Sequence, residues 1–329
     1  MKIILLAFTF FIATQMVAQL NYAYEFEQII DLQSSSNDGF GKSVKRQGNY
    51  LFVGMPYNDS LASNNGAVTI YKRTSSSSPW YFYKKIVPSD VDASAAFGGA
   101  IAVSGDYLVV GAAKHGGYYS EYGAVYVFSK NQGGFDNWGE VKKIQASSLV
   151  DDSYFGASLD ISGTKLVVGA SGSKRAYLFE KDFGGVNSWG ETKVLTSSST
   201  RSFGQSVAIH NDLVFVGGGW YQSYYTSNSG RVTVFSKDEG GLNNWGSIKE
   251  LEHGNNTFGA NLDYDGTTLA VTSSRYSGTG ASNYPGRCYL FTKDEGGINN
   301  WGIHKTIQAS NVNSLSYFGR SISIDGSSL

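Results

Sequence analysis

Apolar side chains recur along this chain in short clusters, without the three-to-four-residue rhythm of an amphipathic helix. One kind of cluster alternates, as in Ile101/Val103, Leu159/Ile161, Val207/Ile209 and Ile322/Ile324. A second kind is continuous: Leu51-Phe52-Val53-Gly54, Leu108-Val109-Val110-Gly111, Leu166-Val167-Val168-Gly169 and Val214-Phe215-Val216-Gly217. Alternation predicts a strand with unlike faces, and a continuous run predicts a strand covered on both. A third strand is expected at Gly66–Tyr71, Gly123–Phe128 and Gly230–Phe235. A fourth is expected to start at Trp80, Trp138, Trp189, Trp245 and Trp301 and to run through stretches such as Val141-Lys142-Lys143-Ile144.

These four strands repeat. Phe-Gly stands at Phe40, Phe97, Phe155, Phe203, Phe258 and Phe318, at intervals of 57, 58, 48, 55 and 60 residues. Eight residues after each Phe comes Gly48, Gly105, Gly163, Asn211, Gly266 or Gly326. Asn is the residue that best replaces Gly in a left-handed turn, so the column predicts a tight hairpin between strands one and two. Three residues after each Phe the side chain is always short (Ser43, Ala100, Ser158, Ser206, Asn261, Ser321), as a crowded central axis requires. Four short strands per repeat over several repeats predict an all-β fold, a β-propeller of four-stranded antiparallel blades. The expected blades are about 38–90, 95–147, 153–197, 201–253 and 256–310, with a partial one at 316–329. The tryptophans are read as packing between neighbouring sheets.

The landmarks Phe97-Gly98 with Gly111-Ala112, and Phe155-Gly156 with Gly169-Ala170, resemble the FG-GAP repeat, with a fixed Gly-to-Gly spacing of 13 residues. That repeat builds the propeller in the heads of integrin α-subunits and in many exported bacterial proteins. The resemblance covers essentially residues 24–329 and implies a seven-bladed ring. Residues 24–33 match an isolated fourth strand that would close such a ring, and the chain stops at Leu329 within its sixth repeat, so a longer protein is expected. Many members of that family carry an Asp-x-Asp-x-Asp-Gly calcium loop between strands one and two. Calcium takes six to eight oxygen ligands. Here that loop is a two-residue turn, approached only by Asp263, Asp265 and Gly266, so neither metal nor other cofactor is expected. Asp90/Asp92 and Asp151/Asp152 are read as solvated turn residues.

The loops from strand three to four follow a second pattern, as in Lys237 to Gly246, Lys293 to Gly302, Lys181 to Gly190 and Lys130 to Gly139. It is similar to the Asp-box hairpin of sialidase-like propellers, which is structural. One face of the propeller thus reads as uniform scaffold. The opposite face carries variable, aromatic two-to-three loops with Tyr57, Tyr118, Tyr119, Tyr122, Trp220, Tyr221, Tyr224, Tyr225, Tyr276 and Tyr284. Tyr with Ser and Gly suits recognition. These rings either cap the propeller itself or meet a partner. Tyr118, Tyr119, Trp220, Tyr221, Tyr224 and Tyr225 are the candidate ligand-binding set.

Composition narrows the rest. Charged residues make up 16% of the chain and the formal net charge is −1, which gives no electrostatic footprint for nucleic acid. Lys2, the apolar run Ile3–Ile12 and Met16-Val17-Ala18 predict a signal peptide over residues 1–18, cleaved before Gln19, leaving a propeller domain at 19–329. No segment reaches the length of a membrane span. The single Cys288 allows no intrachain disulfide and lies in an expected strand. His115, His210, His253 and His304 show no metal-ligand spacing, and no nucleophile elbow is present. The expectation is a secreted or cell-surface adhesion module that binds an extracellular protein or glycan. A carbohydrate-active enzyme, or its accessory propeller, is the alternative, because a carboxylate pair for glycoside cleavage has no sequence spacing.

Overall fold

The computed structural model describes residues 35, 37–90, 92–116, 121–148, 150–197, 202–219, 230–253, 257–273, 286–310 and 318–326. The expected signal peptide and the strand expected at 24–33 lie outside these residues. The first sheet contains β1 (Val44–Gln47), β2 (Tyr50–Met55), β3 (Ala67–Lys72) and β4 (Tyr81–Ile86). The second contains β5 (Phe97–Ser104), β6 (Tyr107–Ala112), β7 (Ala124–Ser129) and β8 (Gly139–Ile144). The third is β9 (Ser158–Ser162), β10 (Lys165–Ala170), β11 (Arg175–Glu180) and β12 (Gly190–Thr196). The fourth is β13 (Ser206–His210), β14 (Leu213–Gly218), β15 (Arg231–Ser236) and β16 (Gly246–Glu252). The fifth is β17 (Phe258–Tyr264), β18 (Thr268–Ser273), β19 (Arg287–Thr292) and β20 (Gly302–Ile307).

Within each sheet the spatial order follows the chain order, and each neighbouring pair of strands is antiparallel. The first turn holds two residues, because Gln47 pairs with Tyr50, Ser104 with Tyr107, Ser162 with Lys165 and His210 with Leu213. In these four sheets its first residue is left-handed: φ is 55° at Gly48, 57° at Gly105, 60° at Gly163 and 53° at Asn211, whereas in the fifth the ladder already ends at Tyr264 with Leu269 and Gly266 has φ of 102°. Among the described residues there is no helix, and hence none long and apolar enough to cross a membrane.

The core lies between the sheets. One slab joins Phe52, Val68 and Ile70 of the first sheet to Ile101, Val110, Tyr126 and Trp138 of the second. Equivalent slabs join the second sheet to the third, the third to the fourth, and the fourth to the fifth. Phe318, Ile322 and Ile324 of the sixth repeat pack on Ala270 and Leu290 of the fifth sheet, beside Cys288. Cys288 is buried, and that burial pushes its thiol up to about 11.

The recurrent Phe-Gly couples these slabs. Phe97, Phe155, Phe203 and Phe258 are fully buried. They meet third-strand rings edge-on: Phe97 with Tyr126 at 5.4 Å, Phe155 with Tyr177 at 5.5 Å and Phe258 with Tyr289 at 5.7 Å. Phe40, which has no preceding described sheet, is 36% exposed. The glycine after Phe presents its carbonyl to the sheet before it. Ser43 Oγ donates to Gly98 O at 2.7 Å, Ser158 Oγ to Gly204 O at 2.9 Å and Ser206 Oγ to Gly259 O at 2.8 Å. Asn261 Nδ2 donates to Gly319 O at 3.1 Å. The short residues expected from axial crowding are therefore also donors across the seams. Ala100 is the exception.

The same approach explains the second-strand glycine. A Cβ on Gly54, Gly111, Gly169 or Gly217 would stand 2.0–2.3 Å from the carbonyl oxygen of Gly98, Gly156, Gly204 or Gly259. In the fifth sheet Thr272 takes this position, pairing with Asn261.

The tryptophans lie one residue before the fourth strand. Trp138, Trp189, Trp245 and Trp301 are left-handed, with φ between 48° and 55°, and all four are buried. Trp138 meets Tyr50 at 5.5 Å and Phe52 at 5.0 Å on the preceding sheet, Trp189 meets Tyr107 at 5.4 Å and Trp301 meets Phe215 at 5.1 Å. Trp80 differs. It is half-buried, and the Arg73 guanidinium lies 4.5 Å from its ring centre.

Candidate functional site

The two-to-three and four-to-one loops leave the sheets on the face where the aromatic loops were expected. All six candidate ligand-binding residues, Tyr118, Tyr119, Trp220, Tyr221, Tyr224 and Tyr225, lie outside the described residues, as do Tyr276 and Tyr284. Of the other aromatics there, Tyr57 is 46% exposed and Tyr122 is half-buried.

What is described is the stem of the second sheet's loop. Lys114 and Glu121 flank the segment and form an ion pair at 3.1 Å. The Gly123 N–H donates to the His115 carbonyl at 2.9 Å, and the Phe155 N–H to the Tyr122 carbonyl at 3.1 Å. The stem is thus tied both to itself and to the third sheet.

Beneath it lies a polar network built from two distant stretches of chain. Asp90 and Asp92 belong to the loop that leaves β4, His115 to the loop after β6, Tyr126 to β7 and Lys143 to β8. Tyr126 OH donates to Asp90 Oδ1 at 2.6 Å, and Lys143 Nζ bonds Asp90 Oδ2. Lys143 Nζ also stands 2.6 Å from His115 Nε2. An ammonium can only donate there, so the His115 proton is placed on Nδ1. That atom faces Asp92 Oδ2 at 3.4 Å, and the same oxygen accepts the Gly116 N–H at 2.6 Å.

The electrostatics follow from burial and from this geometry. Burial, and then the Lys143 charge, hold His115 below its ordinary pKa, against the pull of Asp90 and Asp92. Burial and the hydrogen bond to Asp90 push the Tyr126 hydroxyl well up. For Asp90 burial works upward, but the bonds from Lys143 and Tyr126 outweigh it and leave the carboxyl below the usual range. Asp90 and Asp92 are therefore structural partners of the neighbouring loop, which corrects their reading as solvated turn residues. Their side chains were placed in the right loop but with the wrong surroundings.

Sequence reasoning missed this network because its members share no fixed spacing. A signal does exist in the repeat. Asp90 stands seven residues before Phe97, where the next repeat has Ser148 before Phe155, and Tyr126 matches Tyr177. In that next repeat Tyr177 OH donates to the Ser148 carbonyl at 3.2 Å. One column thus carries a neutral contact in one blade and an ionic one in its neighbour.

The other histidines are dispersed. His210 ends β13 and meets Tyr264 edge-on at 5.9 Å, His253 lies 4.4 Å from Tyr289, and His304 is exposed beside Glu295. Asp265 Oδ1 accepts the N–H groups of Thr267 and Thr268 at 2.7 and 2.8 Å, so that oxygen is committed to its own turn. Among the described residues no group of three or more His, Cys, Asp or Glu side chains could hold a metal ion.

Antiparallel blades packed through interleaved slabs define a β-propeller. Two stretches of it, residues 80–128 and 138–181, match the family described as the FG-GAP repeat. Of the solved structures, hydrazine synthase of Kuenenia stuttgartiensis is similar over 89% of this chain and 72% of its own, at 15% identity and a TM-score of 0.54. That likeness shows the fold alone. Sqt1 of Saccharomyces cerevisiae is a weaker match that adds nothing to it, at 11% identity and a TM-score of 0.45, over 78% of this chain and 58% of its own. No curated protein matches the chain in sequence.

Proposed function

We propose that this chain is a non-catalytic binding module, exported or displayed at the cell surface, that recognises a protein or glycan. Its binding face is formed by the two-to-three and four-to-one loops, with Tyr118, Tyr119, Trp220, Tyr221, Tyr224 and Tyr225 as contact residues. The observation that carries this reading is the network of Asp90, Tyr126, Lys143, His115 and Asp92 under the stem that leads into Tyr118 and Tyr119. Both oxygens of Asp90 are engaged by Tyr126 and Lys143, which suits holding a loop more than exchanging protons with a substrate. A loop held at its stem loses less entropy on binding.

Protein and glycan arrays probed with the wild-type chain, a Tyr118→Ala/Tyr119→Ala variant and a Trp220→Ala/Tyr221→Ala variant test this. Binding by the wild type that at least one pair of substitutions removes supports it. No binding, or equal binding by all three proteins, overturns it. Polysaccharide turnover that is lost on replacing a single carboxylate would put a carbohydrate-active enzyme in its place.

A further inference from the structure

The opposite face carries an unexpected array. In four successive blades the three-to-four hairpin ends in a large apolar residue with nothing to cover it. Phe135 is 91% exposed, Val186 88%, Leu242 85% and Ile298 89%. Isolated apolar residues are ordinary on a protein surface. These four are not isolated instances, because each directly follows the Gly-Gly pair of its hairpin.

The hairpins are built to hold that residue out. The second glycine has φ of 133° at Gly134, 136° at Gly185, 128° at Gly241 and 134° at Gly297. The next backbone N–H is held by a side chain earlier in the loop. Asn187 N–H donates to Asp182 at 2.8 Å, Asn243 to Asp238 at 2.9 Å and Asn299 to Asp294 at 2.8 Å. In the second blade the partners are exchanged, and Asp136 N–H donates to Asn131 at 3.0 Å. The base is closed by Trp138, Trp189, Trp245 and Trp301 N–H groups on the carbonyls of Lys130, Lys181, Lys237 and Lys293, at 2.7–2.9 Å. The third blade adds Phe183, 55% exposed.

We propose that this rim is a membrane-contact surface that seats the propeller on zwitterionic lipid, inserting Phe135, Val186, Leu242 and Ile298 at the level of the headgroups. Equivalent positions in blades around one axis stand at one level, so the four side chains define a plane. A globular partner would need four separate pockets at the blade spacing, whereas the apolar layer of a bilayer is continuous in that plane. Charge points the same way. Each hairpin sets a Lys beside acidic or amide groups, as in the 3.1 Å pair Lys181–Asp182, so the rim offers no excess of cations to attract anionic lipid. Seated so, the aromatic face points away from the membrane.

Cosedimentation of the full chain with phosphatidylcholine vesicles tests the proposal. The wild type should pellet with lipid, and the variant Phe135→Ser/Val186→Ser/Leu242→Ser/Ile298→Ser should stay in solution with an unchanged melting temperature. Leu242→Ser and Ile298→Ser alone should each weaken partition by about three- to tenfold, which keeps the test usable if the fourfold variant misfolds. A wild type that stays in solution overturns the proposal, as does equal pelleting of all variants or binding only when phosphatidylserine is present. Self-association of the wild type without vesicle binding, lost in the fourfold variant, would assign the rim to a second copy of the chain and equally overturn it.

Discussion

Ser206 Oγ and the carbonyl oxygen of Gly259 lie 2.8 Å apart across the seam between the fourth and fifth sheets, in a hydrogen bond closed to solvent. Replacing Ser206 with Ala leaves that carbonyl without its side-chain donor and should cost about 1–2 kcal/mol. The reverse change is available at Ala100, which faces Gly156 where the other seams have Ser or Asn. Ala100→Ser should raise stability by about 0.5–1 kcal/mol. Urea unfolding of both variants measures the pair, and opposite signs are expected.

Glycine is required at the second-strand seam position by space. A Cβ at Gly169 would sit 2.0 Å from Gly204 O and 2.2 Å from Ser158 Oγ. Gly169→Ala should cost more than about 3 kcal/mol, because backbone on the far side cannot yield. Gly241→Ala is the control. Nothing lies within 4 Å of its Cβ, and only its φ of 128° resists the change. Its cost should be backbone strain alone, about 1–3 kcal/mol. Melting temperatures of the two variants should differ accordingly.

His115 should impose a pH dependence. Its pKa in the fold lies below the ordinary 6.5, so the fold prefers neutral imidazole. Its contribution is complete above pH 6.5. As pH falls below that value the unfolded chain takes up the proton first, and stability is lost until the folded-state pKa is passed. In an Asp160→Asn background, which removes the opposing carboxylate, the urea midpoint should therefore be lower at pH 5.5 than at pH 7.5, and His115→Gln should flatten this segment. Asp90 acts in a separate window, because its contribution is lost only as pH falls through and below 3.8.

Asp160 has the opposite sense from most carboxylates. It lies on the innermost strand β9, where Oδ2 accepts the Ile209 N–H at 2.8 Å, and burial pushes it up to about 6. The folded state then binds more protons between pH 3.8 and 6, and stability falls as pH rises through that interval. Asp160→Asn keeps the acceptor for Ile209 and removes the charge. It should stabilise the protein by about 3 kcal/mol at pH 7.5 and by nothing at pH 3.5.

Calcium should not support this propeller. The turns between first and second strands of the first four sheets hold two residues, too few to supply six to eight oxygens, and at the fifth Asp265 Oδ1 is taken by the N–H groups of Thr267 and Thr268. Excess EDTA should leave the melting temperature unchanged, and millimolar calcium should not raise it. A shift of several degrees in either experiment would show a site built from other loops.

The parts of the fold legible in the sequence are those set by local stereochemistry. Gly48, Gly105, Gly163 and Asn211 share a left-handed φ, and one column of the repeat displayed it. The burial of Trp138 and Trp189 against the preceding sheet was legible for a similar reason, since a large ring recurring at one register position needs a recurring cavity. Partners a whole blade away were not legible. Ser43 and Ser206 could be read as short but not as donors, because the accepting carbonyls lie more than fifty residues on. The Asp90 network was hidden by the same distance. The rim of Phe135, Val186, Leu242 and Ile298 was overlooked because uniformity suggested scaffold, and a loop pattern full of Gly, Asn and Asp concealed its one apolar position.

The interruption at Ala100 has a mechanical consequence. At four seams the residue three places after the Phe of Phe-Gly donates to the next blade, whereas the seam between the second and third blades lacks that donor and keeps the bond from the Gly163 N–H to Ser104 Oγ at 3.0 Å. Under tension, blades joined through such seams behave as links in series and part at the weakest one. Stretching should therefore open the seam between the second and third blades before either side unravels, with Ala100 and Gly156 on opposite lips of the break.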